Sequence, residues 1–145
     1  MQAIAKVRMV AYVIAVIGLL LSVYLTLVHY TSVPLACPQT GLINCQSVLT
    51  SKYAMILGIP VAVLGLVFFI GEFFAIKLYL GKDPMIIYNI VGIAFVAYFL
   101  YSEYMVGHIC EYCTSVHICV LALLIISVWG FGKGSGAAAV PTASS

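Results

Sequence analysis

Charge is the property this sequence most lacks. Only 6 Lys and Arg and 4 Asp and Glu occur in 145 residues, so 7% are charged while 65% are hydrophobic. A soluble domain carries roughly a quarter charged residues. A water-facing surface cannot be assembled from so few, and most of this one must face lipid. The net charge of +2 is small and scattered, which removes the basic stripe that nucleic acid requires. No internal repeat is visible, and the length suits one compact domain.

What the chain has instead is long apolar runs. Four stretches, at 9–28, 56–76, 85–101 and 114–131, approach the length of a membrane helix, which needs about 20 mostly apolar residues. The third is short, but Tyr98 and Tyr101 can extend it into an interface as aromatic anchors. Leu35-Ala36-Cys37 faintly resembles a lipoprotein cleavage site. The first run is too long for a signal h-region, so it is read as an uncleaved helix. The expected fold is all-α: a four-transmembrane-helix bundle over residues 1–131, followed by a disordered Gly-, Ala- and Ser-rich tail at 132–145.

The six basic residues orient the bundle. Lys6, Arg8, Lys77, Lys82 and Lys133 fall on one side of the spans and only Lys52 on the other. The positive-inside bias places both termini in the cytoplasm. The connections at 30–55 and 102–113 then face outward from a multi-pass cell-membrane protein.

That orientation gives the cysteines meaning. Cys37, Cys45, Cys110 and Cys113 lie in or beside the outward regions, and Cys119 sits inside the fourth span. The outer side of a cell membrane permits disulfides where the cytosol does not. Four cysteines outside and one within read as two redox pairs plus a packing residue. Cys110-Glu111-Tyr112-Cys113 is a C-x-x-C where the fourth span begins. Residues three apart share a helical face, and a helix N-terminus favours a thiolate. Cys113, one turn deeper, suits a lipid-soluble substrate.

Cys37 and Cys45 flank a segment with Pro38 and Gly41, expected to be a mobile turn. Residues 45–53 suit a short interfacial helix in the outer loop, with Asn44 as its N-cap. Structural disulfides in a non-catalytic membrane scaffold are the first alternative. A zinc site is the second, although structural zinc favours two tight C-x₂₋₄-C hooks and only one is present.

The loop pair, Ser51 six residues after Cys45, Gly58-Ile59-Pro60 opening the second span, and C-x-x-C opening the fourth together resemble the vitamin K epoxide reductase family, in a prokaryotic-type form. The resemblance runs from Lys6 to Phe131. It implies a membrane thiol–quinone oxidoreductase that supports disulfide formation in exported proteins. Its electron acceptor would be a quinone of the menaquinone, ubiquinone or phylloquinone type, with no metal. Its protein partner would be thioredoxin-like or DsbA-like.

By the same resemblance Cys113 contacts the quinone, Cys110 shuttles to the loop, Cys45 exchanges with Cys110, and Cys37 meets the partner. Ser51 matches the family's loop serine. His117 stands where the animal enzymes carry tyrosine, and Val61 or its neighbours stand where they carry an asparagine. The implied reaction is therefore plain quinone reduction rather than epoxide reduction.

The remaining polar residues have simpler readings. His117 shares the face of Cys113 and is a candidate to hydrogen-bond a quinone carbonyl or supply a proton. His108 and Glu111 are expected at the water interface. Glu72 is expected to pair with Lys77, His29 and Tyr30 to anchor the first span, and Cys119 to pack as an apolar residue.

Overall fold

The computed structural model describes residues 2–31, 33–34, 36–78 and 82–130. The elements in chain order are α1 (Gln2–Thr31), α2 (Cys45–Leu49), a 3₁₀ turn (Lys52–Ala54), β1 (Met55–Ile56), β2 (Ile59–Pro60), α3 (Val61–Leu78), α4 (Lys82–Val106) and α5 (Glu111–Ile125). A π-helical turn, Ile126–Gly130, continues α5. Among the described residues, four helices are long and apolar enough to cross a membrane. The protein is an all-α, multi-pass membrane bundle. The expected tail at 132–145 lies outside the described residues.

Small side chains set the spacing of the bundle. The buried stripe of α1 is Ala11, Ala15, Gly18, Ser22, Leu25 and Val28. Its four small members let α3 approach closely, as membrane helices do when packing rather than hydrophobicity must hold them together. Gly18 leaves the space that the wholly buried Phe69 ring fills. Gly65 lies opposite Ser22 in the same seam. The outward face carries Met9, Val13, Ile17 and Leu20, all exposed, as a lipid-facing surface requires. On the neighbouring seam Tyr88 stacks on Phe68 at 5.0 Å and donates its hydroxyl to the Phe68 carbonyl at 2.9 Å.

The second span begins later than its apolar run. Residues 55–60 form an antiparallel hairpin with Met55 opposite Pro60 and Ile56 opposite Ile59. Leu57 and Gly58 turn it with φ of 52° and 81°, the two positive values that a tight two-residue hairpin turn needs. Pro60 disfavours helix at the residue before it, so α3 starts at Val61. The run continues here, but the helix does not.

The third span runs past its expected end. Ser102 and Glu103 are buried, at 0% and 6% exposure, so they face protein instead of beginning a loop. Gly107, at φ 74°, stops α4 by donating its N–H to the carbonyls of Glu103 and Tyr104. A glycine in this conformation is the usual helix C-terminal stop.

Two pairings differ from expectation. Glu72 does not sit at an interface with Lys77: it is 0% exposed and accepts a hydrogen bond from Asn89 Nδ2 at 3.1 Å. His29 is more than an anchor, since its Nδ1 lies 3.2 Å from the Leu49 carbonyl and links α1 to α2. Tyr30 and Glu111 are exposed, His108 is half-buried, and Cys119 packs beside the core formed by Ala11, Phe69 and Val120.

Candidate functional site

The loop that carries Cys37 and Cys45 is held by backbone pairing. Thr40 and Ile43 exchange both their N–H···O bonds across Gly41 and Leu42, so the segment is a pinned turn rather than the loose one expected. Ile109 N–H then donates to the Leu42 carbonyl at 2.8 Å, and Asn44 N–H donates to the Ile109 carbonyl at 3.2 Å. Ile43 and Ile109 thereby run parallel. The consequence is chemical: Cys45 and Cys110, which follow this bridge on the two segments, are carried into one buried cluster.

Asn44 then opens α2. Its Oδ1 accepts the Ser47 N–H at 3.0 Å, the N-cap expected for asparagine. Cys45, the first residue of α2, is 0% exposed and forms a disulfide with Cys37 across a Cα separation of 6.3 Å. Cys37 is only half-buried, so it is the accessible end of the pair. Ser51 donates its hydroxyl to the Val48 carbonyl at 2.8 Å, closing the end of α2. Tyr112 of α5 donates to the Ala36 carbonyl at 2.9 Å and ties down the residue before Cys37.

The C-x-x-C is built differently from a pair on one helical face. Cys110 has extended backbone, φ −101° and ψ 113°, and is the N-cap of α5. Its Sγ accepts the Cys113 N–H at 3.3 Å, so the sulfur occupies the place a Ser or Asp oxygen normally fills. Both thiols are free and buried. Hydrogen bonding from the Cys113 thiol draws the Cys110 thiol below its ordinary pKa. Burial and the Glu103 charge oppose this, and the Cys113 and Tyr112 amides reinforce it. Cys110 is therefore easier to ionise than an ordinary thiol.

Glu103 is the participant that the sequence pattern does not single out. Its Oε1 accepts the Cys110 N–H at 3.1 Å. An N-cap residue's own N–H lies outside the helical ladder, and here a buried carboxyl supplies its partner. The available signal was the rarity of acid: Glu103 is one of 4 Asp and Glu in the chain, and it follows an apolar run directly.

Cys113 faces an apolar cavity between α1, α3, α4 and α5, lined among others by His29, Leu49, Val61, Phe99, Val116 and His117. His117, one turn beyond Cys113, is 8% exposed. Its ring meets the edge of Phe99 at 5.2 Å, and its Nδ1 is buried without a hydrogen-bond partner in the structure. The chemistry of the lining suits an apolar ring with carbonyl oxygens, because one such oxygen could accept from that orphaned nitrogen in its N–H tautomer. Cys45, Cys110 and Cys113 belong to one buried cluster with Leu25, Val48, Leu49 and Phe99, and Cys37 packs against it. Cys119 is not part of it.

The structure thus joins a disulfide, a dithiol and an apolar cavity in sequence at one end of a membrane bundle. The model of the vitamin K epoxide reductase family matches residues 9–128, which reaches from the first span into the fourth and includes both cysteine pairs. The chain belongs to that family, and is a multi-pass membrane oxidoreductase of the thiol–quinone type.

Proposed function

We propose that this protein relays two electrons from a thioredoxin-like or DsbA-like partner through Cys37/Cys45 and Cys110/Cys113 to a membrane quinone, and so supports disulfide formation in exported proteins. The observation that carries the reading is the parallel bridge at Ile43 and Ile109, which brings Cys45 to Cys110 while Cys113 faces the cavity. The catalytic set is Cys37, Cys45, Cys110 and Cys113. Ser51 supports the loop helix, and His117 is the residue proposed to hold a quinone oxygen. The working unit is residues 1–131.

The exchange steps balance. A partner thiolate attacks Cys37 Sγ, the Cys37–Cys45 bond breaks, and Cys45 leaves as a thiolate. The partner's second thiol resolves the mixed disulfide, so the partner ends oxidised and the loop pair reduced. Cys45 then attacks Cys110 of an oxidised Cys110–Cys113 pair and releases Cys113. Cys37 displaces Cys110 and restores the loop disulfide. The result is a Cys37–Cys45 disulfide with Cys110 and Cys113 reduced. Closing Cys110–Cys113 then releases two electrons and two protons. A quinone of menaquinone, ubiquinone or phylloquinone type, when bound, accepts both and becomes the quinol. Direction follows the potentials, at roughly 30 mV per factor of ten for a two-electron couple.

Pure protein in lipid vesicles, supplied with a reduced thioredoxin-like protein and a quinone, tests the reading. Quinol formation matched by partner oxidation is expected. Zinc bound near one equivalent without turnover would indicate a metal site, and neither result would leave a structural scaffold.

We also propose that both termini are cytoplasmic. After mild reduction, a membrane-impermeant thiol reagent on intact cells should label Cys37 or Cys45. Labelling only after permeabilisation would invert the topology and remove the role in exported proteins.

A further inference from the structure

The half of the bundle away from the cysteines holds a second polar cluster. Glu72 lies eleven residues beyond the start of α3, on the order of 16 Å along the helix at 1.5 Å per residue. Polar groups at such a depth must find partners within the protein, because lipid supplies none. Glu72 and Asn89 are both 0% exposed, and Ser127 is 1% exposed. Asn89 Nδ2 donates to Glu72 Oε1 at 3.1 Å, to the Met85 carbonyl at 2.9 Å and towards Ser127 Oγ at 3.3 Å. Ser127 gives its own proton to the Leu123 carbonyl at 2.8 Å. These donors are therefore spent. Two buried acceptors, Glu72 Oε2 and Asn89 Oδ1, are left with no donor.

An ionised Glu72 would be a charge with no exposure at all, deep within its span rather than near a helix end as Glu103 is. It would be held by one amide hydrogen bond, an arrangement that proteins avoid. A single proton removes both deficits. Placed on Oε2, it cancels the charge and creates an O–H donor, and Asn89 Oδ1 is the buried acceptor still in need of one. A carboxylic acid and a primary amide are complementary in this sense, since each brings one donor and one carbonyl acceptor.

We propose that Glu72 carries a proton in the folded protein, making the Glu72–Asn89–Ser127 cluster an intramembrane proton-binding site that joins α3, α4 and the π-helical turn. The other ionisable groups on the surrounding elements are otherwise engaged or lie at the margins. Arg8 of α1 donates to the Ile76 carbonyl, Tyr12 of α1 packs on Phe73, and Tyr88 of α4 donates to the Phe68 carbonyl. Cys119 of α5 is half-buried in the apolar core, while Lys77 and Asp83 are exposed at the helix ends. Losing the proton would set a carboxylate against the Asn89 carbonyl and loosen the seam between α3 and α4. The site does not depend on the thiol relay.

Infrared spectroscopy of the full chain in lipid nanodiscs at about neutral pH, well above the ordinary Glu pKa of about 4.3, reads the protonation state directly. The wild type should show a protonated-carboxyl C=O band that Glu72→Gln abolishes. Asn89→Leu should keep the band but move it to higher frequency, and this second variant serves if the first does not fold. A spectrum without such a band, or one unchanged in both variants, would overturn the proposal. Reaction of the wild type with a hydrophobic carbodiimide, which requires the protonated acid, should label Glu72 regardless of sodium. Protection by sodium would make the occupant a metal cation and equally overturn it.

Discussion

Glu103 Oε1 accepts the backbone N–H of Cys110 at 3.1 Å, so a buried acid holds the residue whose sulfur caps α5. The carboxyl does two separable things: it supplies an acceptor, and its charge works against the Cys110 thiolate. Glu103→Gln retains the acceptor and removes the charge. Its Cys110 should alkylate at lower pH than in the wild type, with turnover kept within a few-fold. Glu103→Leu leaves the N–H unpaired, a cost of about 1–3 kcal/mol, and should lower both turnover and thermal stability. If the two variants have the same alkylation profile as the wild type, Glu103 is only a packing residue.

The relay order predicts a trapped intermediate. Removing the resolving thiol of an exchange strands the mixed disulfide at that step. In Cys113→Ala, Cys110 can still attack Cys45 of the Cys37–Cys45 disulfide and release Cys37. No Cys113 thiol remains to displace Cys45 in turn, so a Cys45–Cys110 bond should accumulate, detected by peptide mass spectrometry without reduction. A dominant Cys37–Cys110 bond would reverse the roles of the two loop cysteines.

Depth separates the two ends of the relay. Cys37 is half-buried, and Cys113 is 4% exposed and faces the cavity. Cys37→Ser should abolish turnover with a protein reductant but keep substantial quinone reduction with a small dithiol. Cys113→Ser should lose both, since a serine hydroxyl is not a redox centre. Activity of Cys113→Ser with either reductant would remove it as the electron donor.

Packing of α1 on α3 rests on Gly18, where an added Cβ would strike the Phe69 ring. That ring is wholly buried and set edge-on to Phe68 at 5.3 Å, so it has nowhere to move cheaply. Gly18→Ala should destabilise the protein by about 1–3 kcal/mol, as overpacking does, in reversible unfolding from detergent micelles. Val16→Ala, on the exposed side of the same helix, is the control and should change little. Equal loss in both would mean the α1–α3 seam is not the tight one.

Several features were legible because they are one-dimensional. The length of an apolar run against the thickness of a bilayer, the scarcity of charge, and the separation of two cysteines along a chain are all properties of neighbouring residues. They suffice for four spans, for the Asn44 cap, and for placing Cys37, Cys45, Cys110 and Cys113 on one side of the spans. Hydropathy alone could not separate the hairpin at 55–60 from the helix that follows, because both are apolar. The backbone demands of Leu57, Gly58 and Pro60 made that division.

Other features belong to the tertiary structure alone. The bond from Asn44 to Ile109 spans 65 positions in the chain, the bond from Asn89 to Glu72 spans 17, and Gly18 meets Phe69 across 51. No local pattern encodes which distant backbone group or side chain will be near. The sequence by itself determined that this chain lives in a membrane with two pairs of cysteines at one end. Only the packing of the helices decided that Cys110 lies outside α5 as its cap, that Glu103 holds it, and that Glu72 faces Asn89 rather than Lys77. The physical reason is that a buried polar group takes the partner that folding brings within reach, and in lipid no solvent offers another.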